Sequence, residues 1–235
     1  MARLPPHIMT AALRSDRAQD LEVVRSWIAD ETHDVNATHN GQSLLSYVTS
    51  GTITAAKADL VQRLLARGAN PNTLFHYLSP LNCVARGIGE DAPAAASYLI
   101  AAGADVEFMA VRTPLGHAIC HEASEIVTLL LRAGASLDNI QWDRPHQSAE
   151  QVIAEREQRY PRIAHLDLWR MLKSTVRGMR EAGGWDAYER KFRRGTLPRF
   201  RTLVVRGRAT TSDPLLAKII NLPQRPLRFI VSYGP

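Results

Sequence analysis

Apolar residues occur in short blocks that repeat along the first three quarters of the chain, and each block is followed by a Gly-Ala pair. The clearest blocks cover residues 60–65, 98–101 and 129–131, and they precede Gly68, Gly103 and Gly134. Glycine adopts the left-handed backbone conformation that ends many helices. The pattern therefore predicts helices that stop at these three glycines, which recur at nearly equal intervals.

A second signal recurs upstream of each block. Ser43, Ser79 and Thr113 each precede a leucine-containing run, and the intervals between them are close to those between the glycines. A Ser or Thr hydroxyl caps the N-terminus of a helix, and the prolines that follow Ser79 and Thr113 suit the first helical turn. Each repeat is therefore predicted to hold a short capped helix and a longer helix that ends in glycine.

The most complete copy runs through Thr113-Pro114-Leu115-Gly116-His117-Ala118 and ends in Leu129-Leu130-Leu131-Arg132-Ala133-Gly134-Ala135. This copy resembles the ankyrin repeat, which has a period of roughly 33 residues and opens with Thr-Pro-Leu-His-x-Ala. Gly116 stands where the family has His. The resemblance implies an all-α ankyrin-repeat solenoid of helix-turn-helix units with β-turn fingers. About five repeats are expected over residues 7–173, with degenerate end units, the first of them containing residues 21–28 and the last residues 147–154 and 163–173.

Charge divides the chain at a similar place. Residues 174–235 contain 13 Lys and Arg against 4 Asp and Glu, a net charge of +9, so residues 1–173 carry −3 of the total +6. The last segment is predicted to be a basic helical C-terminal extension. Apolar spacing and proline positions predict helices near residues 185–193, 197–208, 215–221 and 227–233, after a break at Gly183-Gly184.

The resemblance implies a protein-binding surface on the concave face and the fingers of the repeats. The fingers fall on residues 37–41, 73–78, 108–112 and 139–144, and they carry aromatic residues that suit an interface. For Phe108, packing between fingers is an equal alternative. The candidate partner-binding residues are Tyr47, Phe75, His76, Tyr77, Arg86, Phe108, Arg112, His117, His121, Trp142 and Arg144.

The sequence offers no catalytic or cofactor motif, so we expect a protein that is not an enzyme and holds no cofactor. His117, Cys120 and His121 lie on neighbouring helical positions, and Cys83 aligns with His117 one repeat earlier. Adjacent helices are roughly 8–10 Å apart, too far for Cys83 to join a tetrahedral site, so no metal site is predicted. Two cysteines and no secretory signal favour a cytoplasmic or nuclear protein, and no apolar run is long enough for a membrane span.

Two further functions are open for the basic extension. It is weakly similar to the SOCS box, which recruits elongin and a cullin ubiquitin ligase; the matching positions are Leu203, Leu222, Pro223 and Leu227, with Gly207 in place of the family's Cys. Alternatively, a basic face could bind nucleic acid through phosphate contacts. That face would include Arg190, Lys191, Arg193, Arg194, Arg199 and Arg201. The main expectation is a non-catalytic scaffold or adaptor that binds a protein partner.

Overall fold

The structure is a computed structural model that describes residues 3–15, 17–144 and 146–195, with side chains described as far as Lys191. The chain divides into two compact units, Met1–Pro161 and Arg162–Pro235. Within the described residues the first unit contains nine α-helices and one small two-stranded sheet. These elements are α1 (Pro6–Leu13), α2 (Ala18–Ala29), β1 (Thr38–His39), β2 (Gln42–Ser43), α3 (Leu44–Val48), α4 (Ala55–Ala66), α5 (Pro80–Ala85), α6 (Ala92–Ala101), α7 (Pro114–Cys120), α8 (Ser124–Arg132) and α9 (Ala149–Arg159). The prediction of an all-α protein is confirmed for this part of the chain.

Consecutive helices of the first unit pack in pairs: α1 with α2, α3 with α4, α5 with α6, and α7 with α8. The pairs also pack on one another. The second helices form a continuous row in which α2 contacts α4, α4 contacts α6, and α6 contacts α8, while α7 contacts both α5 and α9. The apolar side of each helical pair is therefore covered by a neighbouring pair. Leu60, Leu99 and Leu130, one from each of three second helices, have no exposed surface.

The predicted caps are present, and a fourth completes the series. The side-chain oxygens of Ser43, Ser79 and Thr113 accept hydrogen bonds from the backbone N–H groups three residues later. Ser148 does the same for Gln151 at the start of α9, one further period along the chain. The helix predicted at residues 147–154 therefore begins at Ala149 and extends to Arg159.

The turns after the second helices are built alike. Gly68, Gly103 and Gly134 have φ values of +84°, +84° and +93°, as their helix-ending role requires. Two residues later, Asn70, Asp105 and Ser136 each accept a hydrogen bond through the side chain from the backbone N–H two positions further on. Asp34 forms the same turn after α2. These short turns fix the direction in which the chain leaves each helical pair.

The second unit contains helix α10 (Asp167–Ala182) and helix α11 (Trp185–Gly195), preceded by a 3-10 helix at Pro161–His165. Gly183, at φ +78°, ends α10 at the predicted break, and α10 packs against α11. The boundary predicted between residues 173 and 174 falls inside α10, whereas the units separate after Pro161. Helix α11 contains the predicted helix at 185–193, and the other three predicted helices of the extension lie outside the described residues.

Across the part of the chain that the structure describes, none of the helices combines the length and the apolar character that a membrane span requires.

Candidate functional site

The second finger is a tight two-residue turn that presents Tyr77 to solvent. Phe75 and Leu78 exchange backbone hydrogen bonds of 2.8 and 2.9 Å, and His76 and Tyr77 between them have φ values of +45° and +69°. Positive φ at both central positions is the geometry of a type I′ turn, which strongly favours Asn and Gly. Tyr77 is nevertheless 85% exposed. The chain thus holds an aromatic side chain in solvent at a backbone conformation that tyrosine disfavours.

The first finger shows the same turn with the residues that suit it. Strands β1 and β2 pair antiparallel, with Thr38 opposite Ser43, and Asn40 and Gly41 connect them with φ values of +51° and +77°. Asn and Gly adopt these angles with little strain. Since the same chain builds this turn from Asn and Gly elsewhere, the fold alone does not require His76 and Tyr77.

The third and fourth fingers pair with each other and expose a second apolar surface. The N–H of Trp142 donates to the carbonyl oxygen of Val111 at 3.0 Å, and the N–H of Thr113 donates to that of Ile140 at 3.0 Å. Trp142 is 73% exposed and Val111 is 57% exposed. We name Tyr77, Val111 and Trp142 the finger apices. Val111 was missed by the sequence analysis because an isolated valine carries no helical or strand periodicity.

Several predicted contact residues lie inside the unit instead. Tyr47 is only 5% exposed and packs edge-on against Phe75, with ring centroids 5.6 Å apart. Phe75 is therefore half-buried, and Phe108 is half-buried as well. Tyr47, a predicted partner contact, is instead buried, and its ring fills the space under the second finger. His76 remains exposed beside Tyr77.

Helix α7 carries the second set of predicted contacts, and it combines a buried imidazole with accessible cations. His117 is 9% exposed, its Nε2 has no described hydrogen-bond partner, and burial together with Arg112, His121 and Arg86 lowers its pKa to about 4. Burial and the same two arginines, with Arg156, also lower the pKa of His121, which is exposed. His117, a predicted contact residue, is thus buried, whereas Arg86 and His121 are accessible.

The residues of this region that could ligate a metal are Cys83, His117, Cys120 and His121. Burial raises the pKa of the Cys83 thiol to about 11, so the thiolate that a metal needs is disfavoured. In the described part of the chain, no group of three His, Cys, Asp or Glu side chains is arranged to hold an ion.

The last finger and α9 line a shallow, open groove of about 540 Å³. The guanidinium of Arg144 donates to both carboxylate oxygens of Glu155 at 2.9 Å, and Gln147 donates to the same carboxylate at 3.0 Å. Arg144, a predicted partner contact, is thus already engaged within the unit, although it is exposed.

The predicted sites of the basic extension fall largely outside the described residues. Arg190 and Lys191 are exposed on α11, and the Nζ of Lys191 lies 3.7 Å from a carboxylate oxygen of Glu181. Arg193 and Arg194 belong to α11, but their side chains are not among those described. The remaining predicted positions lie outside the described residues: Arg199, Arg201, Leu203, Leu222, Pro223 and Leu227.

No protein-family model matches this chain, and no curated protein sequence matches it.

Proposed function

We propose that the first unit is an ankyrin-repeat array that binds a protein partner through its fingers, as a non-catalytic scaffold or adaptor. The repeated caps at Ser43, Ser79, Thr113 and Ser148 and the paired helices that pack in rows support the assignment to this repeat class. The partner would contact the finger apices Tyr77, Val111 and Trp142.

One observation carries the proposal: the exposed Tyr77 on a turn that disfavours it. A non-glycine residue in the left-handed region costs about 1 kcal/mol or more, and an exposed aromatic ring contributes nothing to the core. Strain of this kind is typical of functional positions. Tyrosine also buries a large area at an interface while losing few rotamers.

Site-specific photo-crosslinking tests the proposal in cells. A benzophenone amino acid at position 142 is expected to crosslink a partner, and the same group at position 160 is not. Tyr160 is an exposed aromatic outside the fingers, so it is the matched control. Adding Tyr77→Ala should reduce the yield from position 142 at least fivefold, because both apices contact one partner. Equal crosslinking from positions 142 and 160, or a yield that Tyr77→Ala leaves unchanged, would contradict the proposal.

A double variant separates the role of the Tyr77 ring in binding from the role of its turn in folding. His76→Asn with Tyr77→Gly copies the Asn40-Gly41 turn, so the finger keeps its geometry and loses its aromatic apex. The crosslink from position 142 should then disappear from a protein that is folded at least as stably as the original. Retention of the crosslink would show that the ring at position 77 is dispensable.

A further inference from the structure

Two arginines act on the histidines of helix α7. Arg112 immediately precedes the helix cap Thr113, His121 ends the helix, and Arg86 ends the neighbouring α5, which packs on α7. The charges of Arg86 and Arg112 act on both His117 and His121. We name Arg86 and Arg112 the α7 cation patch; the buried His117 and, one helical turn later, His121 lie beside it, and both have lowered pKa values.

The fold holds Arg112 in this place. The buried Asn82 donates from Nδ2 to the carbonyl oxygen of Arg112 at 3.1 Å, and the Nε of Arg112 donates to Gln141 at 3.1 Å. A Cβ at Gly116 would lie 2.6 Å from the carbonyl oxygen of Ile140 and 3.1 Å from the Cβ of Arg112. Glycine at this position, where the resembled family has a larger residue, therefore leaves room both for the backbone of the fourth finger and for the arginine stem.

The patch lacks a carboxylate of its own among the described residues. The guanidinium of Arg86 is exposed and forms no ion pair with any of them, and the single bond of Arg112 to a neutral amide leaves its charge uncompensated. The carboxylate that acts on His121 belongs to Glu122, and Arg156 binds it at 3.0 Å. Within this part of the chain, two arginines that act on the same two histidines thus form no ion pair.

The positive charge of the α7 cation patch contrasts with the net negative charge of the first unit. Residues 1–161, the first unit, contain 13 Lys and Arg against 18 Asp and Glu, a net charge of −5, so a polyanion such as a nucleic acid would meet net negative charge over the rest of this unit. A short acidic segment within a protein escapes this repulsion, because only its carboxylates meet the cations. Arginine also suits such a partner, since its planar guanidinium can bind a carboxylate through two parallel hydrogen bonds.

We propose that the α7 cation patch binds an acidic segment of the protein partner, with carboxylates on Arg86 and Arg112. The inference rests on the proposed function, since Arg112 directly follows the finger apex Val111 and one partner would reach both surfaces. The apices would then supply apolar contact area, and the patch would select for Asp or Glu beside the apolar anchor.

A peptide-display selection on the full chain tests this inference even though the partner is unidentified. Random twelve-residue peptides selected on the immobilised protein should be enriched in Asp and Glu at least twofold over the unselected library. Arg86→Gln should weaken the binding of a selected acidic peptide at least tenfold, and Arg112→Gln should do likewise. Arg132, an exposed cation at the end of α8, is the matched control, and Arg132→Gln should change the dissociation constant less than twofold.

Exchanging the charges of Arg86 and of one peptide carboxylate tests whether these two groups contact each other. Arg86→Glu should abolish binding of the selected acidic peptide, and replacing one acidic residue of the peptide by Lys should restore at least a tenth of the original affinity. Arg86 is exposed, so its variants should melt within about 2 °C of the original protein, which shows that they fold. All these variants retain the 13 cations of residues 174–235.

The contradicting outcomes are distinct. Selected peptides without acidic enrichment, or acidic peptides that bind Arg86→Gln unchanged, would overturn the inference; the second result would assign binding to other cations. A loss of affinity for the single-stranded oligonucleotide dT20 in Arg86→Gln, with peptide binding intact, would assign the patch to nucleic acid instead. In each of these cases a crosslink at position 142 that depends on Tyr77 would leave the proposed function standing.

Discussion

The side-chain amide of Asn72 donates a hydrogen bond to the carbonyl oxygen of Gly103, 3.2 Å away in the next repeat. Its Oδ1 accepts the N–H of Asp105 at 2.8 Å, so one side chain joins two successive turns through both of its polar atoms. Asn36 makes the same pair of bonds to Gly68 and Asn70. These two amides connect three successive turns that follow the second helices.

Asn72→Ala should lower the free energy of unfolding by about 1–2 kcal/mol, because it removes two hydrogen bonds between repeats at about 1 kcal/mol each. Urea unfolding followed by circular dichroism measures the change. Gln62→Ala, at an exposed position of α4, is the control and should cost less than about 0.5 kcal/mol. Equal losses in the two variants would show that the link between repeats contributes nothing measurable.

Arg67→Ala should destabilise the first helical pairs by about 2 kcal/mol, because hydrogen bonds from charged donors contribute more than those from neutral ones. The guanidinium of Arg67 donates to four carbonyl oxygens at and beyond the end of α2, those of Ile28, Asp30, Glu31 and His33, at 2.8 to 3.3 Å. Urea unfolding measures the loss, and hydrogen exchange should speed up in α2 first.

The neighbouring Arg63 is the matched control for Arg67. It pairs with Asp59 on the same helix surface, and exposed pairs of this kind contribute little, so Arg63→Ala should cost about 0.5 kcal/mol or less. Arg67→Lys should behave like Arg67→Ala, because one ammonium group cannot reach four carbonyls. Full stability of the lysine variant would contradict this role of the planar guanidinium.

Acid should destabilise the first unit through His117. The pKa of this imidazole is lowered from 6.5 to about 4 in the folded protein, because burial and the nearby Arg112, His121 and Arg86 disfavour the charged form. Between these values the unfolded chain binds a proton that the folded chain does not, so stability falls as the pH is lowered from about 6.5 to about 4. The loss amounts to about 3 kcal/mol in all.

His117→Gln should flatten this part of the stability curve while leaving the region above pH 7 with a constant offset. Unfolding in urea at a series of pH values between 4 and 8 provides the measurement. His121, whose pKa is lowered too, leaves a residual slope of the same sign. A variant curve parallel to the original between pH 4 and 6.5 would refute the assignment to His117.

His76→Asn with Tyr77→Gly should raise the free energy of unfolding by about 1 kcal/mol, because Asn and Gly accept the positive φ angles that strain the native pair. The gain would appear as a higher midpoint in thermal unfolding. The reciprocal change at the first finger, Asn40→His with Gly41→Tyr, should lower the midpoint. A midpoint that stays unchanged or falls in the first variant would mean that the native turn stores no strain.

The helix caps and the glycines that end helices could be predicted from the amino-acid sequence because these signals act locally. A hydroxyl at Ser43 or Thr113 caps the N–H three residues later wherever the rest of the chain goes, and Gly103 ends its helix because a residue without a side chain tolerates positive φ. The fourth cap, at Ser148, obeys the same rule and extends the series. For this reason helix positions and repeat spacing could be predicted closely from one chain.

The exposure of the predicted contact residues, in contrast, depends on tertiary packing. Tyr47 and His117 are residue types common at exposed interfaces, yet neighbouring elements bury them. The periodicity of apolar residues along the chain does not predict this burial. The departure at Gly116 from the repeat signature is explained only by the tertiary structure, in which the carbonyl oxygen of Ile140 and the Arg112 stem lie against it. Burial and charge pairing join side chains that belong to different repeats, so they follow from how the repeats pack and not from the local pattern.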